Sequence, residues 1–109
     1  MAERPAVVAL VSGTTMTSMR ELAAGFEEEA VPLVVETGVG TSQELAGRAA
    51  ALSALGHGIG ADRTGLVLAL AVRPELPYLT APLAEARPFG HAAARLVARR
   101  PVRLPAEAN

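Results

Sequence analysis

Residues 6–11 form an uninterrupted apolar run, Ala-Val-Val-Ala-Leu-Val, which Ser12 and Gly13 end. A run that is apolar at every position, and not only at alternate ones, is typical of a strand buried on both faces of a largely parallel sheet. The next apolar residues recur at helical spacing and predict a helix with one core-facing stripe: Met19, Leu22, Ala23, Phe26 and Ala30. Pro32 ends that helix, and Leu33–Val35 predicts a second strand.

The middle of the chain repeats the alternation of helix and strand. Thr41 and Glu44 have the spacing of a capping box, in which each side chain accepts a hydrogen bond from the other residue's backbone N–H. A second helix follows and ends at Gly56, and its core-facing residues are predicted to be Leu45, Ala49 and Leu52. Residues 57–61 and 66–71 predict two strands, and the Asp-Arg-Thr-Gly turn at 62–65 predicts that they pair as an antiparallel hairpin.

Residues 72–88 predict a loop, because they are rich in proline and show no clean period, with a short strand near 77–79. A last helix is expected to run until Pro101 and to bury Phe89, Ala92, Ala93, Leu96 and Val97. A final short strand is expected at Val102–Leu104. This order predicts one α/β domain over residues 1–109, a small two-layer or three-layer sandwich around a mixed, mostly parallel sheet.

Composition excludes several classes of function. Ten arginines and no lysine face eleven acidic residues, so the formal net charge of −1 argues against nucleic acid or a membrane surface as a partner. The absence of cysteine excludes disulfides, thiolate zinc sites and a cysteine nucleophile. No stretch resembles a targeting segment or a membrane-spanning helix, which predicts a soluble, cytoplasmic protein.

The glycine-rich turns and the two histidines give little support for a nucleotide site or a catalytic base. The Gly38-Val-Gly40 turn lacks the third small residue of the dinucleotide fingerprint, and a phosphate-binding P-loop requires lysine. The glycines at 56, 58 and 60 belong with a strand and not with a helix N-terminus, where a phosphate would bind. His57 and His91 lack metal-binding spacing, and His91 is expected to be solvated, opposite the apolar stripe of the last helix. We therefore expect no catalytic and no cofactor-binding residue in this chain.

Glu27, Glu28 and Glu29 lie at the C-terminal end of the first predicted helix, where the helix dipole already places partial negative charge. Arg20 is seven residues before Glu27, too far for an ion pair along the helix. Helical geometry turns Glu28 away from the apolar stripe, with the other two acids on its flanks. The residues leave two readings open: an ordinary solvated face, or a carboxylate available to a cation or a partner.

Three ordered blocks resemble the small (beta) subunit of the diol/glycerol dehydratase reactivating factor. They are Gly25-Phe-Glu-Glu-Glu-Ala-Val-Pro32, Gly58-Ile-Gly-Ala-Asp-Arg63 and Gly90-His-Ala-Ala-Ala-Arg-Leu-Val97. The resemblance implies a fold like that of the medium subunit of the cobalamin-dependent dehydratase. It also implies a hetero-oligomer of two small and two large subunits, in which the large subunit is an ATPase that binds ATP or ADP.

The resemblance implies a non-catalytic role by subunit exchange. The small subunit takes the place of the medium subunit on the dehydratase large subunit, so that damaged cobalamin can leave. It further implies that Glu28 completes the coordination of Mg²⁺ or Ca²⁺ held mainly by the large subunit; oxygen ligands suit both ions. Ala98 departs from the family, which has lysine there, and the 72–88 loop looks shorter.

Two other interpretations stay open: a shortened medium-type dehydratase subunit, and a generic small ligand-binding α/β domain. The sequence also leaves open which diol the target uses and whether the protein enters a bacterial microcompartment.

Overall fold

The computed structural model describes residues 5–14 and 16–99. Its elements alternate between strands and helices along most of the chain. In order they are β1 (Val7–Val11), α1 (Met16–Glu28), β2 (Leu33–Thr37), α2 (Ser42–Leu52), β3 (His57–Asp62), β4 (Gly65–Leu70), β5 (Leu79–Ala81), a 3-10 turn (Leu83–Glu85) and α3 (Ala86–Val97). The strand predicted at 102–104 lies outside the described residues.

The described strands form one mixed sheet in the order β2-β1-β3-β4-β5. β1 pairs in parallel with both β2 and β3, while β3–β4 and β4–β5 are antiparallel. Every strand except β4 therefore runs in the same direction, which confirms the predicted mixed, mostly parallel sheet. The hairpin predicted at 62–65 is confirmed as well, with Asp62 paired to Gly65 at its closed end.

Helices cover both faces of the sheet, so the domain has three layers. Alternate residues of β1 face opposite ways: Val7 and Ala9 join the larger core under α1 and α3, whereas Leu10 packs with Leu45 and Ala49 under α2. The first apolar run is thus buried on both sides, as its composition predicts. None of the helices in the described part of the chain has the length and apolarity needed to cross a bilayer.

Glycines bring the layers unusually close. A Cβ at Gly60 would lie 1.9 Å from the Ser42 carbonyl oxygen, and one at Gly58 would lie 1.9 Å from the Ala50 nitrogen, so α2 rests directly on β3. On the other face, a Cβ at Gly90 would lie 2.6 Å from the Leu22 carbonyl oxygen. The helices α1 and α3 therefore cross at close range, backbone against backbone.

The capping box of Thr41 and Glu44 forms as predicted, but three expectations about the helix ends and faces are wrong. Ala30 is not in the core: it is exposed, with φ +60, and follows α1 in a left-handed turn where the Val31 N–H bonds to the Phe26 carbonyl. Leu52 is 66% exposed, whereas the part of α2 that lies against Gly58 and Gly60 of β3 consists of small residues, Ser42, Ala46, Ala49 and Ala50. Ser53, and not Gly56, follows the last residue of α2.

The third helix begins earlier than expected, at Ala86, so that Pro88 lies in its first turn, where proline is tolerated. The loop before it is also more ordered than its composition suggests. It contains β5, two residues later than the predicted strand, and the 3-10 turn.

Candidate functional site

The close crossing of α1 and α3 brings charged residues from two of the three sequence blocks together. The acids come from α1 and from Glu29 directly after it, and the bases come from α3. Together they form one continuous ion-pair cluster between the two helices. We call this set the α1–α3 cluster: Glu21, Glu28, Glu29, Arg87, His91 and Arg95.

Glu28 is the exposed acid at the centre of the cluster. Its Oε1 lies 2.6 Å from His91 Nε2 and 3.4 Å from Arg87 Nε, and its Oε2 contacts the Arg87 terminal nitrogen. The hydrogen bond from Arg87 lowers the pKa of Glu28 from its ordinary 4.5, burial opposes this, and His91 adds to the lowering. The same contact with Glu28 raises the pKa of Arg87. Glu28 is therefore held as a carboxylate with both oxygens engaged.

Glu29, in contrast, is buried: only 6% of the residue is exposed. Its Oε2 lies 2.9 Å from His91 Nδ1 and 3.1 Å from Arg95 Nε. His91 thus stands between two carboxylates, one on each ring nitrogen. A protonated imidazole ring can donate to both, whereas a neutral ring can donate to only one.

This arrangement corrects the expectation that His91 is solvated. It also shows that Glu28 and Glu29 have partners, which come from α3 and not from their own helix. Glu28 does turn outward as predicted, with 41% of its side chain exposed. The sequence carried a signal for the partners: Arg87, His91 and Arg95 recur every four residues and so share one face of the last helix.

The side chains of the described residues show whether a divalent cation would find ligands in this chain. Within residues 5–14 and 16–99, no group of three or more His, Cys, Asp or Glu side chains is placed to hold a metal ion. Glu28 offers a hard, exposed carboxylate of the kind that Mg²⁺ and Ca²⁺ prefer. The chemistry of this one side chain fits that of a single ligand to such a cation.

Asp62 occupies the place where nucleotides bind in many open α/β sheets, the carboxyl end of the strands where the chain changes face. Its Oδ2 accepts from the Ser42 N–H at 2.7 Å, at the start of α2, and its Oδ1 accepts from the Thr64 N–H at 2.8 Å. A helix N-terminus that could have received a phosphate is thus satisfied by the protein's own carboxylate. Sequence reasoning missed this role, although an aspartate opening a hairpin is a known sign of such turns.

His57, at the start of β3, is half-buried, and its Nδ1 lies 2.8 Å from the Leu55 carbonyl oxygen. The glycines around it have a packing role, since Gly58 and Gly60 accommodate α2. These contacts support the structural interpretation of this motif.

Comparison with known proteins gives a consistent result. Residues 4–103 match the family model described as dehydratase medium subunit. A glycerol dehydratase reactivase structure superposes with a TM-score of 0.85 at 28% identity, covering 93% of this chain and 98% of that one. A structure of diol dehydratase-reactivating factor complexed with ADP and Mg²⁺ gives a TM-score of 0.83 at 30% identity, covering 94% and 100%. The search of curated proteins gave no match.

Proposed function

Since the chain belongs to the dehydratase medium-subunit family and, within it, to the small subunits of the dehydratase reactivating factors, we propose that it reactivates a cobalamin-dependent diol or glycerol dehydratase. One observation carries this proposal. The whole described fold corresponds to nearly the full length of two reactivating-factor chains, while the family model is that of the dehydratase's own medium subunit. One fold therefore serves in both assemblies.

In the proposed mechanism the chain acts by recognition and not by catalysis, in the cytoplasm. Proteins of the same fold can present the same docking surface, so the chain replaces the medium subunit on the dehydratase large subunit, and the inactive cobalamin leaves. A large ATPase subunit binds ATP or ADP and resets the cycle, in a complex of two large and two small subunits. A relative complexed with ADP and Mg²⁺ supports a nucleotide-bearing partner.

We propose that Glu28 is the contribution of this chain to a Mg²⁺ or Ca²⁺ site shared with the large subunit. Glu28 is exposed, lies at the last residue of α1, and is held as a carboxylate. A bound divalent cation would supply an electrostatic bridge between the subunits, with Glu28 as a ligand from this side. The remaining oxygen ligands belong to the partner.

Association with the large subunit tests both parts. We expect the wild-type chain to co-purify with it, and Glu28→Arg to lower the affinity by more than tenfold, since a cation would then face a cation. Chelation should weaken the wild-type complex, whereas it should strengthen the Glu28→Arg complex, because it removes the cation that repels the new arginine. Glu27→Arg is the matched control, because Glu27 is an exposed neighbour on the same helix. Equal binding by all variants, with and without chelator, would remove Glu28 from the interface.

A shortened medium-type subunit is the second candidate, favoured by the description of the matching family. Such a subunit would contact cobalamin together with a dehydratase large subunit. Mixing the chain with that subunit and cobalamin should then change the cobalamin absorption spectrum and yield dehydratase activity. A reactivating subunit gives neither result.

A generic ligand-binding domain is the third candidate. A small molecule would then bind in an open groove of about 800 Å³, which lies between the outer face of α2 and the loop at Pro74 and Glu75. Saturable binding of a metabolite in the absence of any partner would favour it.

A further inference from the structure

We infer that Arg87 and His91 control access of a divalent cation to Glu28: in the isolated chain they occupy both carboxylate oxygens, and Arg87 must leave before a cation binds. This inference rests on the proposed role of Glu28 as a cation ligand. It adds that Arg87 of α3 competes with the cation for the Glu28 carboxylate. Glu28 therefore binds a cation only when Arg87 is displaced.

The competition follows from the contacts. Arg87 and His91 reach Glu28 from α3, with His91 Nε2 at 2.6 Å and Arg87 Nε at 3.4 Å from the same oxygen. A divalent cation bound to that carboxylate at about 2.0–2.6 Å would lie within roughly 4 Å of the guanidinium charge. Repulsion between a double and a single charge at that distance corresponds to roughly a thirtyfold loss of affinity in water. The two occupants therefore compete for the carboxylate.

The cluster also contains a place for the displaced guanidinium. Arg87 Nη1 lies 3.7 Å from Glu21 Oε1, and both side chains are almost half exposed. His91 differs, because its Nδ1 stays bound to buried Glu29 at 2.9 Å. A short movement of Arg87 towards Glu21 therefore releases Oε2 of Glu28, while His91 keeps its contacts with Glu29 and with Oε1 of Glu28.

Mn²⁺ alone, added to the isolated full-length chain, tests the inference. Paramagnetic broadening of the backbone amide signals around Glu28 reports the apparent dissociation constant. We expect Arg87→Gln to strengthen Mn²⁺ binding about tenfold, since salt screens part of the repulsion. Glu21→Gln should weaken it, because Arg87 then has no second carboxylate. Arg73→Gln, which removes an exposed arginine from the loop after β4, is the control and should change nothing.

The difference between Arg87→Gln and Arg73→Gln separates this inference from a general effect of charge. By net charge alone, Arg87→Gln and Arg73→Gln would both strengthen Mn²⁺ binding equally. Adding Glu28→Gln to Arg87→Gln should abolish the broadening. Equal binding by the wild type and Arg87→Gln, or no broadening near Glu28 in any variant, would overturn the inference.

The proposed function is judged separately by association with the large subunit. If the wild-type chain associates but its Arg87→Gln variant gains no affinity for Mn²⁺, the proposed function stands and the competition by Arg87 is wrong. If the chain does not associate but the Mn²⁺ affinities of its variants follow the expected order, the competition by Arg87 stands and the proposed function is wrong.

Discussion

At the scale of single residues, Asp62 joins two elements that are distant in sequence. Its carboxylate accepts hydrogen bonds from the start of α2 and from the turn between β3 and β4, including one from the Gly65 N–H at 3.2 Å. We expect Asp62→Asn to lower the free energy of unfolding by about 1–3 kcal/mol, because an amide nitrogen would face the Ser42 N–H and leave this donor unsatisfied. Chemical denaturation measures the change. Glu36→Gln, on an exposed strand position, is the control and should be nearly neutral.

The same residue predicts a pH dependence. Burial raises the pKa of Asp62, but the hydrogen bonds from Thr64, Ser42 and Gly65 outweigh it, and the pKa lies below the ordinary 3.8. A lowered pKa means that the carboxylate stabilises the fold above the ordinary value, and that this contribution is lost as the pH falls through the lowered one. The stability difference between wild type and Asp62→Asn should therefore be constant near neutrality and shrink in acid. A difference that grows in acid would contradict the assignment.

At the scale of elements, the crossing of α1 and α3 positions the whole ion-pair cluster. Replacing glycine by alanine inside a helix normally stabilises it by about 0.5–1 kcal/mol. We expect Gly90→Ala to do the opposite and to cost about 1–3 kcal/mol, because the new methyl group would press on the Leu22 backbone and force the helices apart. The midpoint of thermal unfolding shows whether Gly90→Ala stabilises or destabilises the protein. The separation should also lengthen the contacts of His91 with α1, which the NMR signals of its ring would report.

A stabilised Gly90→Ala variant would show that the helices tolerate a wider spacing. Ala51→Gly, on the exposed face of α2, provides the reference, because there the ordinary propensity should decide and the change should destabilise.

The elements were largely predictable, because local patterns determine them. The apolar run of β1, the capping box at Thr41 and the turn at 62–65 each depend on residues close together in the chain. What failed depended on contacts between elements. Leu52 has the right spacing for the core, but the closeness of β3 gives the buried face of α2 to smaller residues. The partners of Glu28 and Glu29 lie about sixty residues away along the chain, and only the fold brings them near.

At the scale of the whole molecule, the structure confirms the predicted layered α/β fold and its mixed sheet. This fold could be predicted because the alternation of strands and helices leaves few ways to bury each apolar face. The outward orientation of Glu28 followed from helical geometry, but its contacts with Arg87 and His91 did not. The sequence blocks that carry the family resemblance also have a physical explanation. Gly25 and Gly90 permit the α1–α3 crossing, while Gly58 and Gly60 permit the contact of α2 with β3.

In the proposed subunit exchange, the outcome depends on the balance between two similar interfaces, because the two small proteins share a fold. Exchange is reversible only if the large subunits bind this chain and the medium subunit with comparable affinity, so that a nucleotide can shift the populations. We expect native mass spectrometry of inactivated dehydratase, mixed with isotope-labelled chain, the ATPase subunit and ATP, to show the label on the dehydratase large subunit. The displaced medium subunit should be found with the ATPase subunit, and free cobalamin should increase in proportion. Cobalamin released from a dehydratase that keeps its medium subunit would instead mean direct extraction, and replacement of one fold by its relative would not be the mechanism.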